Sequence, residues 1–217
     1  MGLAGVKICG VTNIEDAMLA EDAGAMYVGM VISEGFLRSV SVDLIRDVAS
    51  ILSRSKLVVV AADRDALKKA VGSGLDAIIQ LHLEDLSVED LEEASRRGYR
   101  VIPTVISRGS PNIYIDQKIS LIRGFSKYVE YTLIDIPKDR LQRQAIAGSK
   151  DLPVELYRYG CSRYRPCGVA GGITPENVIS LKHVAPNVID VSSGVESSPG
   201  KKDPMKVRKL VEVARDL

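Results

Sequence analysis

The 217-residue chain has no tryptophan, two phenylalanines, two histidines and three cysteines, and its formal charge is only +1. Each scarcity closes off a class of function. With acidic and basic residues nearly balanced and mixed along the chain, there is no broad electrostatic footprint for nucleic acid or a membrane surface. Any bound anion must therefore be met by a local device. Cys9, Cys161 and Cys167 are odd in number and lack metal-ligand spacing, so they read as free thiols, and no metal is expected. The longest apolar strips, such as LVVVAA at 57–62, fall well short of a membrane span. MGLAGVKICG is too short and too mixed for a signal peptide, which makes a cytoplasmic location the default expectation. What remains, at 46% hydrophobic residues, is the composition of a folded chain.

Short β-branched runs alternate with amphipathic helical stretches along the whole length. GVKICG, YVGMVI, KLVVVAA, AIIQLH, RVIPTV, YVEYTLID, CGVAGG and NVIDVSS read as strands, each followed by a polar turn and a helical pattern. Helix starts are legible at Thr12 or Asn13, at Ser41, at Ser87, and at TPENVISLKHV, where Thr174 can cap and Pro175 can take the first helical position. Gly24 and Gly98 fall where a helix would need a left-handed terminal residue. Between 138 and 166 no single helix can be placed. No linker or low-complexity stretch interrupts the alternation, so residues 1–217 are expected to form one α/β domain, a single (β/α)8 TIM barrel rather than an open doubly wound sheet.

Sites in such a barrel lie at the C-terminal ends of the strands. Consecutive strand ends carry AGGITPEN and DVSSG, which bring together Gly171, Gly172, Ser192, Ser193 and Gly194. Unhindered amides, hydroxyls and a helix start form an anion pocket without net positive charge, so a small phosphorylated ligand is expected there. In VKICGVTN, Lys7 and Cys9 share a face of the first strand. Cys9 is either a small buried hydrophobe or a base, since a thiol's ordinary pKa of about 8.5 lets a nearby cation raise its thiolate fraction. Asp135 closes YTLID as a strand-end carboxylate or an ordinary loop aspartate. Lys7 and Asp190 lie on neighbouring strands of a closed barrel and, by parity with Cys9 and Ser192, should both point inward. They are expected to form a buried ion pair that orients the site and biases Cys9 toward thiolate.

KICGVTNIEDA, RSVS, QLH, LID, VAGGITPENV and DVSSGVESSPGKKD, in that order, resemble the phosphoribosylanthranilate isomerase family of tryptophan biosynthesis. The resemblance implies an aldose–ketose isomerase that carries out a cofactor-free Amadori rearrangement on a (β/α)8 barrel. By matching positions, Cys9 would be the general base and Asp135 the general acid, with Arg38 paired to the substrate's anthranilate carboxylate. Gly171, Gly172, Ser192, Ser193 and Gly194 would hold its phosphate. Gln80 and His82 would line the substrate site, His82 with a structural role as its alternative. The family's usual Ser-Pro before the arginine is replaced by Phe36 and Leu37, and Leu83 stands where a glycine usually follows QLH. A glycine-rich loop expected after the acid has only AGSKD at 147–151 as an echo. Three other barrels compete: a histidine-pathway isomerase, whose first-half phosphate loop finds no match here, a ribulose-phosphate epimerase, whose metal ligands two histidines do little to supply, and a catalytically silent phosphate binder. The oligomeric state stays open, a homo-oligomer included.

Overall fold

The structure is a computed structural model that describes residues 4–107, 111–136 and 152–217. Eight parallel strands close on themselves: β1 Gly5–Ile8, β2 Tyr27–Val31, β3 Lys56–Ala61, β4 Ile78–Leu81, β5 Val101–Ile106, β6 Thr132–Asp135, β7 Cys167–Ala170 and β8 Val188–Val191. Helices α1 Ile14–Ala23, α2 Val42–Ile51, α3 Arg64–Gly72, α4 Val88–Ser95, α5 Pro111–Arg123, α6 Val154–Arg163 and α7 Pro204–Arg215 surround the barrel. A small hairpin, β9 Glu196–Ser198 and β10 Lys201–Lys202, follows β8. All eight strand assignments are found, and the fold is the expected (β/α)8 TIM barrel.

Local chemistry sets the helix starts. Asn13 caps α1 by accepting from the Asp16 amide, Ser41 caps α2 through the Leu44 amide, and Ser87 forms a reciprocal capping box with Asp90. Gly24 closes α1 at φ 93°, a conformation that side-chain-bearing residues adopt only with strain.

Packing occurs in two shells. Residues such as Ile8, Val28, Val59, Ile79, Val105 and Ile134 face outward into the layer shared with the helices. Tyr27, Val58, Val60, Ile78, Ile102, Leu133 and Val188 fill the barrel interior. That interior also admits polar side chains: Gln80 donates to Thr104 at 3.3 Å, and Lys7 lies opposite Asp190 in the β1–β8 register.

Four expectations are corrected. Cys161 and Cys167 form a disulfide rather than standing free, which leaves Cys9 as the free thiol among the described residues. The last turn of α6 and the start of β7 face each other, bringing the two Cα atoms to 5.3 Å, within bridging reach. The TPENVISLKHV segment begins as a turn and continues as a 3-10 helix, Val178–His183, instead of an α-helix. Asn177 takes the Thr174 amide at 2.8 Å and donates to the Gly172 carbonyl at 2.9 Å, local bonds that compete with an α-helical first turn. Strand β6 starts at Thr132 rather than Tyr128; Glu130, before it, accepts from Tyr27 and Lys56 and forms an ion pair with Arg100. Part of the segment with no placeable helix contains α6; residues 137–151, including AGSKD, lie outside the described residues.

The bridge closes a short loop, six residues in separation. Chain-entropy reasoning for a loop of that length predicts a loss of about 2 kcal/mol in a Cys161→Ala/Cys167→Ala double variant, measurable by urea denaturation. A double variant as stable as the parent would show that the bridge contributes no stability.

Candidate active site

The strand ends surround a cavity of about 280 Å³ at the barrel mouth. Cys9, directly after β1, forms one wall, and Asp135, the last residue of β6, another. The ends of β7 and β8 lie between them in barrel order. Gln80 and His82 enter from β4, Arg38 from beyond β2, and Gly171, Gly172, Ser192, Ser193 and Gly194 from the last two strand ends. Asp190 also lines the cavity, whereas Lys7 lies beneath it, fully buried. Every residue singled out from the sequence is therefore gathered at one end of the barrel.

Lys7 donates to Asp190 at 2.9 Å, the ion pair anticipated from strand parity. Gly29 on β2 makes room for it: a β-carbon there would stand 2.9 Å from the Lys7 ammonium and 3.0 Å from the Cys9 sulfur. Burial alone would lower the Lys7 pKa, but the charges of Asp190 and Cys9 hold it above the ordinary value. Lys7 biases Cys9 toward thiolate as expected, but burial acts more strongly in the other direction. Burial pushes its thiol above the ordinary value, and the attraction of Lys7 opposes this without overcoming it. The thiol is the resting form, with Lys7 keeping the thiolate within reach.

Asp135 is likewise raised by burial, an effect opposed by His82, whose Nε2 lies 3.7 Å from Oδ2. A carboxyl whose protonated form is favoured in this way is better suited to donate a proton than an ordinary aspartate. His82 thus stands beside the acid on the same side of the cavity.

The two last strand ends are packed backbone against backbone. Gly171 and Gly172 have φ of 106° and 65°, and a β-carbon at Gly171 would strike the Ile136 carbonyl and crowd Asp135 Oδ1 at 3.1 Å. A β-carbon at Gly194 would strike the Ile173 carbonyl. Only glycine lets these loops approach one another, leaving small amide-rich surfaces beside the Ser192 and Ser193 hydroxyls. Because the following segment is a 3-10 helix, these strand ends present loop amides and hydroxyls without an α-helix terminus.

Two residues escaped the sequence reading. Glu196 accepts both Nε and Nη2 of Arg38 at 2.7 Å, and Lys202, fully buried, donates to Glu196 at 3.0 Å and to the Cys9 carbonyl at 2.7 Å. The signal for them was the turn SPG in VESSPGKKD, which implies a hairpin whose alternation turns Lys202 inward and Lys201 outward. Burial would raise the Glu196 carboxyl, but Arg38 and Lys202 hold it down to about 2. A depressed carboxyl adds stability above its ordinary value of 4.5 and loses it as pH falls toward about 2. The stability gap between the parent and Glu196→Gln is thus expected to narrow through that window, as read from denaturation midpoints at a series of pH values. A constant gap would mean the ion network adds nothing.

A closed (β/α)8 barrel with a half-buried thiol and a raised carboxyl on separate walls of one cavity, beside adjoining glycine- and serine-lined strand ends, fits a class: barrels that perform acid–base chemistry on a phosphorylated small molecule. The comparisons narrow the class to a family. Residues 6–213 match the N-(5'-phosphoribosyl)anthranilate (PRA) isomerase family, and the chain belongs to it. The N-(5'-phosphoribosyl)anthranilate isomerase of Pyrobaculum aerophilum is 32% identical over 213 residues, covering 95% of this chain and 96% of its own. The enzyme of the same name from Geotalea uraniireducens is 32% identical over 98% of both chains. Among solved structures, phosphoribosyl anthranilate isomerase from Thermotoga maritima superposes with a TM-score of 0.80 at 26% identity, covering 99% of this chain and all of that one. A phosphoribosyl anthranilate isomerase in complex with reduced 1-(o-carboxyphenylamino)-1-deoxyribulose 5-phosphate has a TM-score of 0.77 at 27% identity, with the same coverage. The chain is thus an isomerase of the tryptophan-biosynthesis type.

Proposed function

We propose that this barrel converts N-(5'-phosphoribosyl)anthranilate to 1-(2-carboxyphenylamino)-1-deoxyribulose 5-phosphate, with Asp135 as general acid and Cys9 as general base. The observation that carries this reading is the placement of Cys9 and Asp135 on separate walls of one cavity, with the glycine- and serine-lined ends of β7 and β8 between them. A phosphate seated on Gly171, Gly172, Ser192, Ser193 and Gly194 lays the sugar between acid and base. Asp135 protonates the furanose ring oxygen, and the ring opens to an iminium. Cys9 as thiolate then removes the C2 proton, giving an enolamine that tautomerises to the ketone. The iminium is itself the electron sink for that step. Arg38 meets the aryl carboxylate, for which a planar fork is suited, and Phe36 and Leu37 form the apolar wall beside it.

This reading takes the chain as one barrel domain with a small phosphorylated substrate, no cofactor and no nucleic-acid partner. No helix among the described residues is long and apolar enough to cross a membrane. The Cys161–Cys167 disulfide weighs against an ordinary reducing cytoplasm, where such bridges are rare outside hyperthermophiles.

The test is turnover of freshly generated substrate, followed by loss of its fluorescence. Turnover supports the reading; a parent that binds the product analogue but does not turn over would leave a silent phosphate-binding barrel. The pH profile of kcat/KM adds a second check. Rate requires thiolate and protonated carboxyl together, and both groups are pushed up by burial. The bell is expected to centre alkaline of roughly pH 6, the midpoint of an unperturbed Asp–Cys pair.

A further inference from the structure

Glu196 and Lys202 have no place in the proton transfers, yet they are among the few buried charges at the mouth. Their bonds run between the parts that do. Arg38 reaches across the end of β1, its stem lying against Gly10, where a β-carbon would strike the arginine and stand 2.8 Å from Ser192 Oγ. Glu196 takes the side edge of the guanidinium, Nε and Nη2. A guanidinium has five N–H donors, so its other edge, Nη1 with the second proton of Nη2, can take a second carboxylate. Glu196 is itself anchored. Lys202 spends its three protons on Glu196 at 3.0 Å, the Cys9 carbonyl at 2.7 Å and the Ser192 carbonyl at 3.3 Å, and Lys206 holds the Glu196 carbonyl at 2.8 Å. Two cations share the Glu196 carboxylate beside the cavity, and a second buried carboxylate, Asp16, takes the Lys202 amide at 2.9 Å.

We infer that Glu196 is a positioning residue: it fixes the edge that Arg38 presents to the aryl carboxylate of the substrate, and Lys202 ties that setting to the strand ends carrying Cys9 and Ser192. The inference rests on the reading of Arg38 as the carboxylate's partner. Specificity for a carboxylated aglycone then depends on a residue that never touches it.

Binding of the reduced product analogue and of its counterpart lacking the aryl carboxylate, measured by calorimetry, separates the outcomes without requiring turnover. Arg38→Ala is expected to weaken the carboxylated compound selectively. Glu196→Gln, which keeps shape but cannot accept both guanidinium bonds as an anion, is expected to weaken that compound by about tenfold and the other by less than about twofold. Combined with Arg38→Ala it should add nothing, because Glu196 acts through the arginine. Glu196→Asp, shorter but still charged, should give a smaller selective loss, and it serves if the glutamine variant does not fold. Arg38→Ala affecting both compounds alike would remove the reading of Arg38 and this inference with it. A selective Arg38→Ala beside a Glu196 variant that weakens both compounds equally, or neither, would overturn the inference alone.

Discussion

Cys9→Ala is expected to lower turnover by about 10²–10⁴-fold, the usual contribution of a positioned general base, while affinity for the product analogue stays within about threefold. The magnitude follows from the lack of a substitute. The remaining ionisable groups beside the C2 position are already committed: Lys7 is a cation bound to Asp190, and Asp135 belongs to the opposite wall with His82. Cys9→Ser should be nearly as slow, since a hydroxyl is too weakly acidic to supply an oxyanion at neutral pH. Binding should be spared because, on the proposed reading, phosphate and carboxylate are held elsewhere, on the last two strand ends and at Arg38. Loss of affinity in parallel with turnover would place Cys9 in the architecture of the cavity instead.

Lys7→Met is expected to cost about 3–5 kcal/mol of stability, because it strands the Asp190 carboxylate in the barrel interior. For a chain of this size that corresponds to a fall in Tm on the order of 10 °C. Asp190→Asn should do comparable damage by stranding the Lys7 ammonium. Lys7 is fully buried, only one Asp190 oxygen finds a donor among the described residues, and Gly29 closes over the pair. A Lys7→Met/Asp190→Leu double variant should recover part of the loss, since removing both charges also removes their desolvation cost. Its turnover should remain low, because Cys9 would have lost the cation that offsets its burial. Single variants within about 1 kcal/mol of the parent would show that the interior solvates these charges by other means.

Strand number, order and parity were legible because each run of β-branched residues is buried on both faces and bounded by turn residues. Parity alone placed Lys7 opposite Asp190 and Cys9 at the mouth. Capping chemistry located Asn13, Ser41 and Ser87 for the same reason: these determinants are local. What stayed hidden depends on contacts distant in sequence or on competition between nearby bonds. Cys161 and Cys167 are bridged because a helix end happens to face a strand start. The segment after β7 is 3-10 because Asn177 intercepts an amide that an α-helix would leave to its cap. Arg38 was assigned to the substrate by its match to the family's arginine, but Glu196, 158 residues away, holds one of its edges. The pull of Lys7 on Cys9 is visible in the strand, whereas the burial that outweighs it is a property of the closed barrel.

The account stands on acid and base acting from separate walls of one cavity. Initial rates on freshly generated N-(5'-phosphoribosyl)anthranilate, taken side by side for the parent, Cys9→Ala and Asp135→Ala, test it most directly. Rapid loss of substrate fluorescence with the parent and collapse of the rate in both variants is the predicted result; parental turnover in either variant would contradict it.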